Sequence, residues 1–261
     1  MTDLIFQSNP WVFPALVFVL LALAIELPYR FARPLTAKVT KQFDAFSAIQ
    51  AGIFTLASFV LGLSFAQASS RFDARRELVV KEANAIGTTW LRANQLEPVQ
   101  AKRFRQILTD YTAARLKAYS TPHDQDLYAR MLVQSSQDQD AVWAIASSAL
   151  HANQTKLGLS LLMATLNDTI DVSAEQLQAL TTHVPTVVVD LTVALVVLGA
   201  LSLGLRFALD GLRPVVLSAI YVVAYVFVIS MVIDYDRPQT GFVTVNLNPL
   251  RLQLQAMQRE Q

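Results

Sequence analysis

Four stretches of this chain are apolar for long enough to cross a bilayer, which takes about 20 mostly hydrocarbon side chains. They run from Trp11 to Leu27, Ala48 to Ala68, Val184 to Leu205 and Val215 to Ile233. Short polar loops join the first span to the second and the third to the fourth. Between the two pairs lies Ser70 to His183, where apolar residues recur three and four apart, the period of an amphipathic helix.

The second span runs into a dense charged segment with no break. No proline occurs between Pro34 and Pro98, and Gly87 is the only glycine after Gly62 in that interval, so the pattern predicts one helix continuing to about Glu97. Counted from Phe46, that helix would be roughly 78 Å long at a rise of 1.5 Å per residue. Three further helices are predicted from Phe104, Ile107, Leu108, Tyr111 and Leu116; from Tyr128, Met131, Leu132, Val142, Ile145 and Ala149; and from Leu159, Leu162, Met163, Leu166, Ile170 and Leu177. Thr121 followed by Pro122 reads as the N-cap of the middle one.

No strand-like alternation competes, so the expected fold is all-α: a polytopic membrane protein with four transmembrane helices and a helical bundle inserted between spans 2 and 3. Residues 1–69 hold the first two spans, 70–183 the bundle, 184–234 the last two spans and 235–261 a tail. Pro238 and Gly241 should end the last helix, with a short extended segment following at Val243 and Val245.

Composition agrees with the spans: 53% of the 261 residues are hydrophobic and the mean hydropathy is +0.38. The first span lacks a preceding basic region, and Glu26 and Pro28 follow it rather than a small-residue cleavage site, so it reads as permanent. A net charge of +1 leaves no basic surplus for nucleic acid. Cysteine is absent, which removes disulfides, thiol catalysis and thiolate metal sites. His123, His151 and His183 stand at no metal-ligand spacing, and no nucleotide-binding or hydrolase motif appears. No catalytic residue and no cofactor is therefore expected.

Orientation follows from Lys and Arg near span ends. The two short loops carry six, Arg30, Arg33, Lys38, Lys41, Arg206 and Arg213, against three in the tails, Arg237, Arg251 and Arg259. The short loops are accordingly expected in the cytoplasm, with both termini and the bundle outside it. Within the bundle region charge is segregated. Ten basic and five acidic residues lie between Arg71 and Lys117, two basic and seven acidic between Ala118 and Val184, so antiparallel packing would juxtapose opposite charge.

Four sets of residues carry candidate chemistry. Ala51, Thr55, Ser58, Gly62, Ala66 and Ser69 fall on one face of the second span, where they permit close helix packing or line a narrow path. Arg71, Arg75 and Arg76 follow, either as a basic collar that concentrates anions at a pore mouth or as headgroup anchors and partners of the acidic half. Asp190 lies inside the third span and should face protein or water, be protonated, or lie near the interface, serving a structural hydrogen bond near the surface or ion passage. Glu82, Asn84, Asn167, Asp168, Asp171, Asp234 and Asp236 make up the acidic and amide inventory near the span exits. Pairing with Arg71, Arg75, Arg76 or Arg237 accounts for them more economically than an oxygen-ligated cation such as Ca²⁺.

The segments "RFDARRELVVKEANAIGTTWLRA", "LNDTID" and "DYDRPQTGF" resemble the bacterial bestrophin-like membrane family over most of the chain, from the second span to about Leu250. The resemblance implies a bacterial inner-membrane protein, embedded in lipid and assembled as a homo-oligomer. Through the bestrophins, which are four-span anion channels, it implies passage of anions. Bestrophins carry their large domain in the cytosol, whereas the Lys and Arg count favours the other side. Two functions remain open: an ion channel around the second spans, or a non-conducting scaffold or sensor whose bundle binds a partner or envelope component.

Overall fold

The computed structural model describes residues 11–32, 43–121, 124–152, 157–237 and 243–260, with side chains from Phe46 onward in the second of these segments. Arg33, Pro34, Lys38, Lys41, Pro122, His123, Pro238 and Gly241 lie outside the described residues. Among the described residues there are eight α-helices and no strand: α1 (Val12–Ala32), α2 (Phe43–Arg92), α3 (Pro98–Ser120), α4 (Gln125–Ala152), α5 (Leu157–Thr181), α6 (Thr186–Asp210), α7 (Val215–Asp236) and α8 (Asn248–Arg259). Four helices are long and apolar enough to cross a membrane: α1, α2 in its first part, α6 and α7.

Two compact units emerge. One comprises residues 1–71 and 183–243, the other 72–182 and 244–261. Helix α2 contributes to both and is unbroken for 50 residues before one turn of 3₁₀ helix at Ala93–Gln95. One spacing, close to seven residues, sets its inward face: Leu61, Ala68, Arg75, Glu82 and Thr89 are all buried, flanked by Ala57, Ser64, Val79 and Ile86.

In the membrane unit, Val17, Leu21, Ala24 and Ile25 of α1 pack with Leu195, Val196 and Ala200 of α6 and Val222, Ile229 and Val232 of α7. Ala200, Gly204 and Ala208, four residues apart and all buried, form a flat ridge on α6. Helix α1 continues through Pro28, which forfeits one backbone hydrogen bond. Its end is tied by Glu26, which accepts from Arg30 Nε at 2.7 Å and from Arg213 Nη2 at 2.8 Å, while Arg213 also lies 5.7 Å from the Tyr29 ring centre. Gly211, at φ 67°, takes the left-handed conformation that closes α6.

In the bundle unit, Val79, Ile86 and Trp90 of α2 meet Phe104, Leu108 and Tyr111 of α3, Val142 and Ala146 of α4, and Leu159, Leu162 and Leu166 of α5. One sequence expectation is corrected. Thr121 is the C-cap of α3, its hydroxyl donating to Lys117 O, and Asp124 instead caps α4 by accepting from Leu127 N at 2.8 Å. The short segment expected to be extended at Val243 and Val245 precedes a helix the sequence reading did not predict, α8, whose Leu250 and Met257 are fully buried in the bundle core. Gly87 gives Gln253 of α8 room, since a Cβ there would lie 2.9 Å from Gln253 Oε1.

Candidate functional site

The small and polar face of α2 lies on the outside of the protomer. Ala51, Thr55, Ser58, Gly62 and Ala66 are exposed, Ser69 is half-buried, and a Cβ built on Gly62 meets no atom within 4 Å. Packing within one protomer is thus not what these residues serve. The inward side is taken by Ala57, Leu61, Ser64 and Ala68, with Ser64 Oγ 3.2 Å from Thr192 Oγ1 of α6. A third side bears Ile49, Leu56, Phe59 and Leu63, exposed and bulky, roughly a third of a turn from the small face by helical register. The outer surface of this span is therefore divided into a lipid-like side and a small, hydroxyl-bearing side.

The three arginines beyond the stripe do not act alike. Arg76 is exposed and Arg71 half-buried, but Arg75 is only 2% exposed. Its Nε donates to Ala179 O at 3.0 Å and its Nη2 to Thr182 O at 2.8 Å. Carbonyls at a helix C-terminus lack intrahelical donors and sit at the negative end of the helix dipole, so a guanidinium is their natural cap. Arg75 as a member of an exposed collar is corrected accordingly: it closes the end of α5.

Glu82 is wholly buried and pairs with Arg115, whose Nε donates to Glu82 Oε1 at 2.7 Å. Around them, Arg115 Nη2 donates to Ser173 O at 3.3 Å, and Gln139 Nε2 donates to Ser173 Oγ at 2.8 Å and Tyr111 Oη at 3.3 Å. The Arg115 guanidinium lies 4.8 Å from the Tyr119 ring centre. Burial, reinforced by the Glu82 charge, pushes the Tyr111 and Tyr119 hydroxyls above the usual phenol range. Burial alone would lower the Arg115 pKa, but Glu82 and the two tyrosines outweigh it, so the guanidinium stays charged. Glu82 Oε2 and Tyr119 Oη are buried with no hydrogen-bond partner among the described residues.

The remaining acidic and amide candidates scatter. Asn84, Asn167, Asp168 and Asp171 are exposed, with Asn167 Nδ2 donating to Asp171 Oδ2 at 2.8 Å. Asp234 accepts from Val243 N at 2.8 Å, and Asp236 accepts from Val184 N at 2.8 Å with His183 Nδ1 3.3 Å away. Of the pairing expected with Arg71, Arg75, Arg76 or Arg237, Glu82 departs by taking Arg115 instead. Among the described residues no three His, Asp or Glu side chains are placed to hold a metal ion. Asp190, exposed on α6, lines a cavity of about 380 Å³ within the membrane unit. Sequence reasoning missed Arg115, Tyr111, Gln139 and Ser173 as a polar core. The signal was available in "YTAARLKAY", where Tyr111, Arg115 and Tyr119 stand four apart on the apolar stripe of α3.

Residues 13–250 match the bestrophin-like domain. This chain belongs to the bestrophin-like family. Its fold is similar to a bestrophin homologue from Klebsiella pneumoniae carrying a tryptophan-to-alanine mutation, at 18% identity and a TM-score of 0.67 over 97% of this chain and 95% of that one. The Klebsiella pneumoniae homologue phased with zinc gives 16% identity and 0.63 over 96% of each chain. A structure described as a membrane protein with a leucine-to-alanine change gives 19% and 0.66 over 96% of this chain and 97% of that one. No curated protein matches.

Proposed function

We propose that this bestrophin-like protein assembles with copies of itself around an axis lined by the small face of α2, and passes anions along it. The observation that carries the reading is that Thr55, Ser58, Gly62 and Ala66 are exposed on a membrane-crossing helix, with nothing among the described residues within 4 Å of a Cβ built on Gly62. Hydroxyls and small side chains turned outward serve poorly against lipid alone but well against water, ions or a second copy. Membership of a family named for anion channels supports the ion, and exposed Arg76 supplies positive charge beyond the stripe.

Halide flux into liposomes tests this. Gly62→Leu and Ser58→Leu should each lower flux about tenfold by narrowing and drying the path, with the melting temperature in detergent little changed. Unaltered flux in both variants would sink the pathway, and no flux from a folded oligomer of the parent chain would favour the scaffold or sensor.

For orientation, the six loop cations place the bundle outside the cytoplasm in this reading. A chain without cysteine makes the check simple. Asn84→Cys in the bundle should react with an impermeant maleimide on intact cells, and Leu212→Cys between α6 and α7 only after lysis; the reverse pattern would put the bundle in the cytosol.

A further inference from the structure

The cavity beside Asp190 is polar at one end only. Thr186, Asp190, Asp236 and Arg237 line it at the start of α6 and the end of α7, and Leu20, Val193, Val197 and Val232 line it deeper in the span. Its volume of about 380 Å³ is within the roughly 300–1,000 Å³ range of small-molecule sites. The two carboxylates differ. Asp236 is buried and engaged by Val184 N and His183, whereas Asp190 is exposed and has no hydrogen-bond or ion-pair partner among the described residues. A carboxylate in a membrane span is costly unless protein, water or a cation meets it.

We propose that this groove holds a phospholipid whose headgroup carries a primary ammonium, with the ammonium on Asp190, the phosphate beside Arg237 and one acyl chain along Leu20, Val193, Val197 and Val232. Charge complementarity selects the occupant. An ammonium brings three donors to the Asp190 carboxylate, and a guanidinium suits phosphate. The N-terminal end of α6, capped by Pro185, adds positive partial charge at the same end. A bare inorganic cation fits poorly, since it needs several oxygen ligands, whereas at this end Asp236 is already held by Val184 N and His183 and Arg237 brings a positive charge. An anionic lipid would meet Asp190 with like charge, and a quaternary ammonium has no N–H to donate.

The test uses the full chain, purified in mild detergent, exchanged against vesicles of phosphatidylethanolamine, phosphatidylglycerol and phosphatidylcholine in equal amounts, and read by native mass spectrometry of retained lipid. Phosphatidylethanolamine should be retained about tenfold over each of the others, and Asp190→Asn should erase that preference, as loss of one charge-assisted hydrogen bond predicts. Val193→Trp, which fills the apolar end, should reduce retention of all three. Equal retention of the three lipids by the parent chain would overturn the proposal, as would an undiminished preference in Asp190→Asn. If that variant fails to fold, the parent's preference and the Val193→Trp result decide. Retention is read without ion flux, so its outcome is independent of whether the protein conducts.

Discussion

Arg115→Ala should destabilise the bundle by about 3–5 kcal/mol, the usual cost of leaving a buried charge unpaired. Glu82 is wholly buried with one oxygen already lacking a partner, and Arg115 supplies the 2.7 Å bond to the other. Removing the guanidinium strips the carboxylate of its counter-charge and takes from Ser173 O a donor. In a chain of this length the melting temperature of the detergent-solubilised protein should fall on the order of 10 °C. Arg115→Lys should recover only part of the loss, because a point ammonium cannot span Glu82 and the Ser173 carbonyl as the planar fork does. The double variant Glu82→Gln, Arg115→Met should be more stable than Arg115→Ala alone, since neither buried charge then remains. A single Arg115→Ala variant melting within about 2 °C of the parent would mean the pair contributes little, as exposed pairs do.

Gly204→Ala should cost about 3 kcal/mol, although the same change in an open helix position would gain up to about 1 kcal/mol. The difference is the neighbour. A Cβ on Gly204 would run into the backbone carbonyl of Ile25 on α1, and backbone cannot swing aside as the end of a side chain can. The Ala200, Gly204, Ala208 ridge lets the two helices approach closely, and one methyl would force them apart along their shared core. Gly62→Ala is the matched control, because a Cβ there meets nothing within 4 Å. Thermal denaturation of the two variants side by side decides the matter. Equal melting temperatures would show that α1 and α6 can separate freely, against the packing described here.

The polar core of the bundle was partly written in the sequence. Leu61, Ala68, Arg75, Glu82 and Thr89 recur every seven residues on α2, so the inward face of the span runs in register into a charged segment. Reading Arg71, Arg75 and Arg76 as one collar ignored that register. On a helix Arg71 and Arg75, four apart, share a face while Arg76 is turned well away from both, and only tertiary packing shows that Arg75 ends beneath the α5 carbonyls. The C-terminal helix was legible too. Pro249 near its start, with Leu250 and Met257 seven apart, is a helical pattern, but its 12 residues are too few to stand alone in water without the bundle core.

What the sequence by itself determined is everything that depends on local pattern: four spans, because hydrocarbon length is a property of consecutive residues; an unbroken α2, because neither proline nor a cluster of glycines interrupts it; and an all-helical bundle, because apolar positions repeat at three and four. Only the tertiary structure decided which polar residues are interior and which partners they take. Glu82 and Arg115 are 33 residues apart, Arg75 and Thr182 107, and Val184 and Asp236 52. The same holds for Gly204, whose need to be glycine comes from the Ile25 carbonyl on another helix. Such pairings are set by which helix faces meet, and a chain of helices with compatible apolar stripes has many ways to bring faces together until packing, desolvation and hydrogen bonding select one.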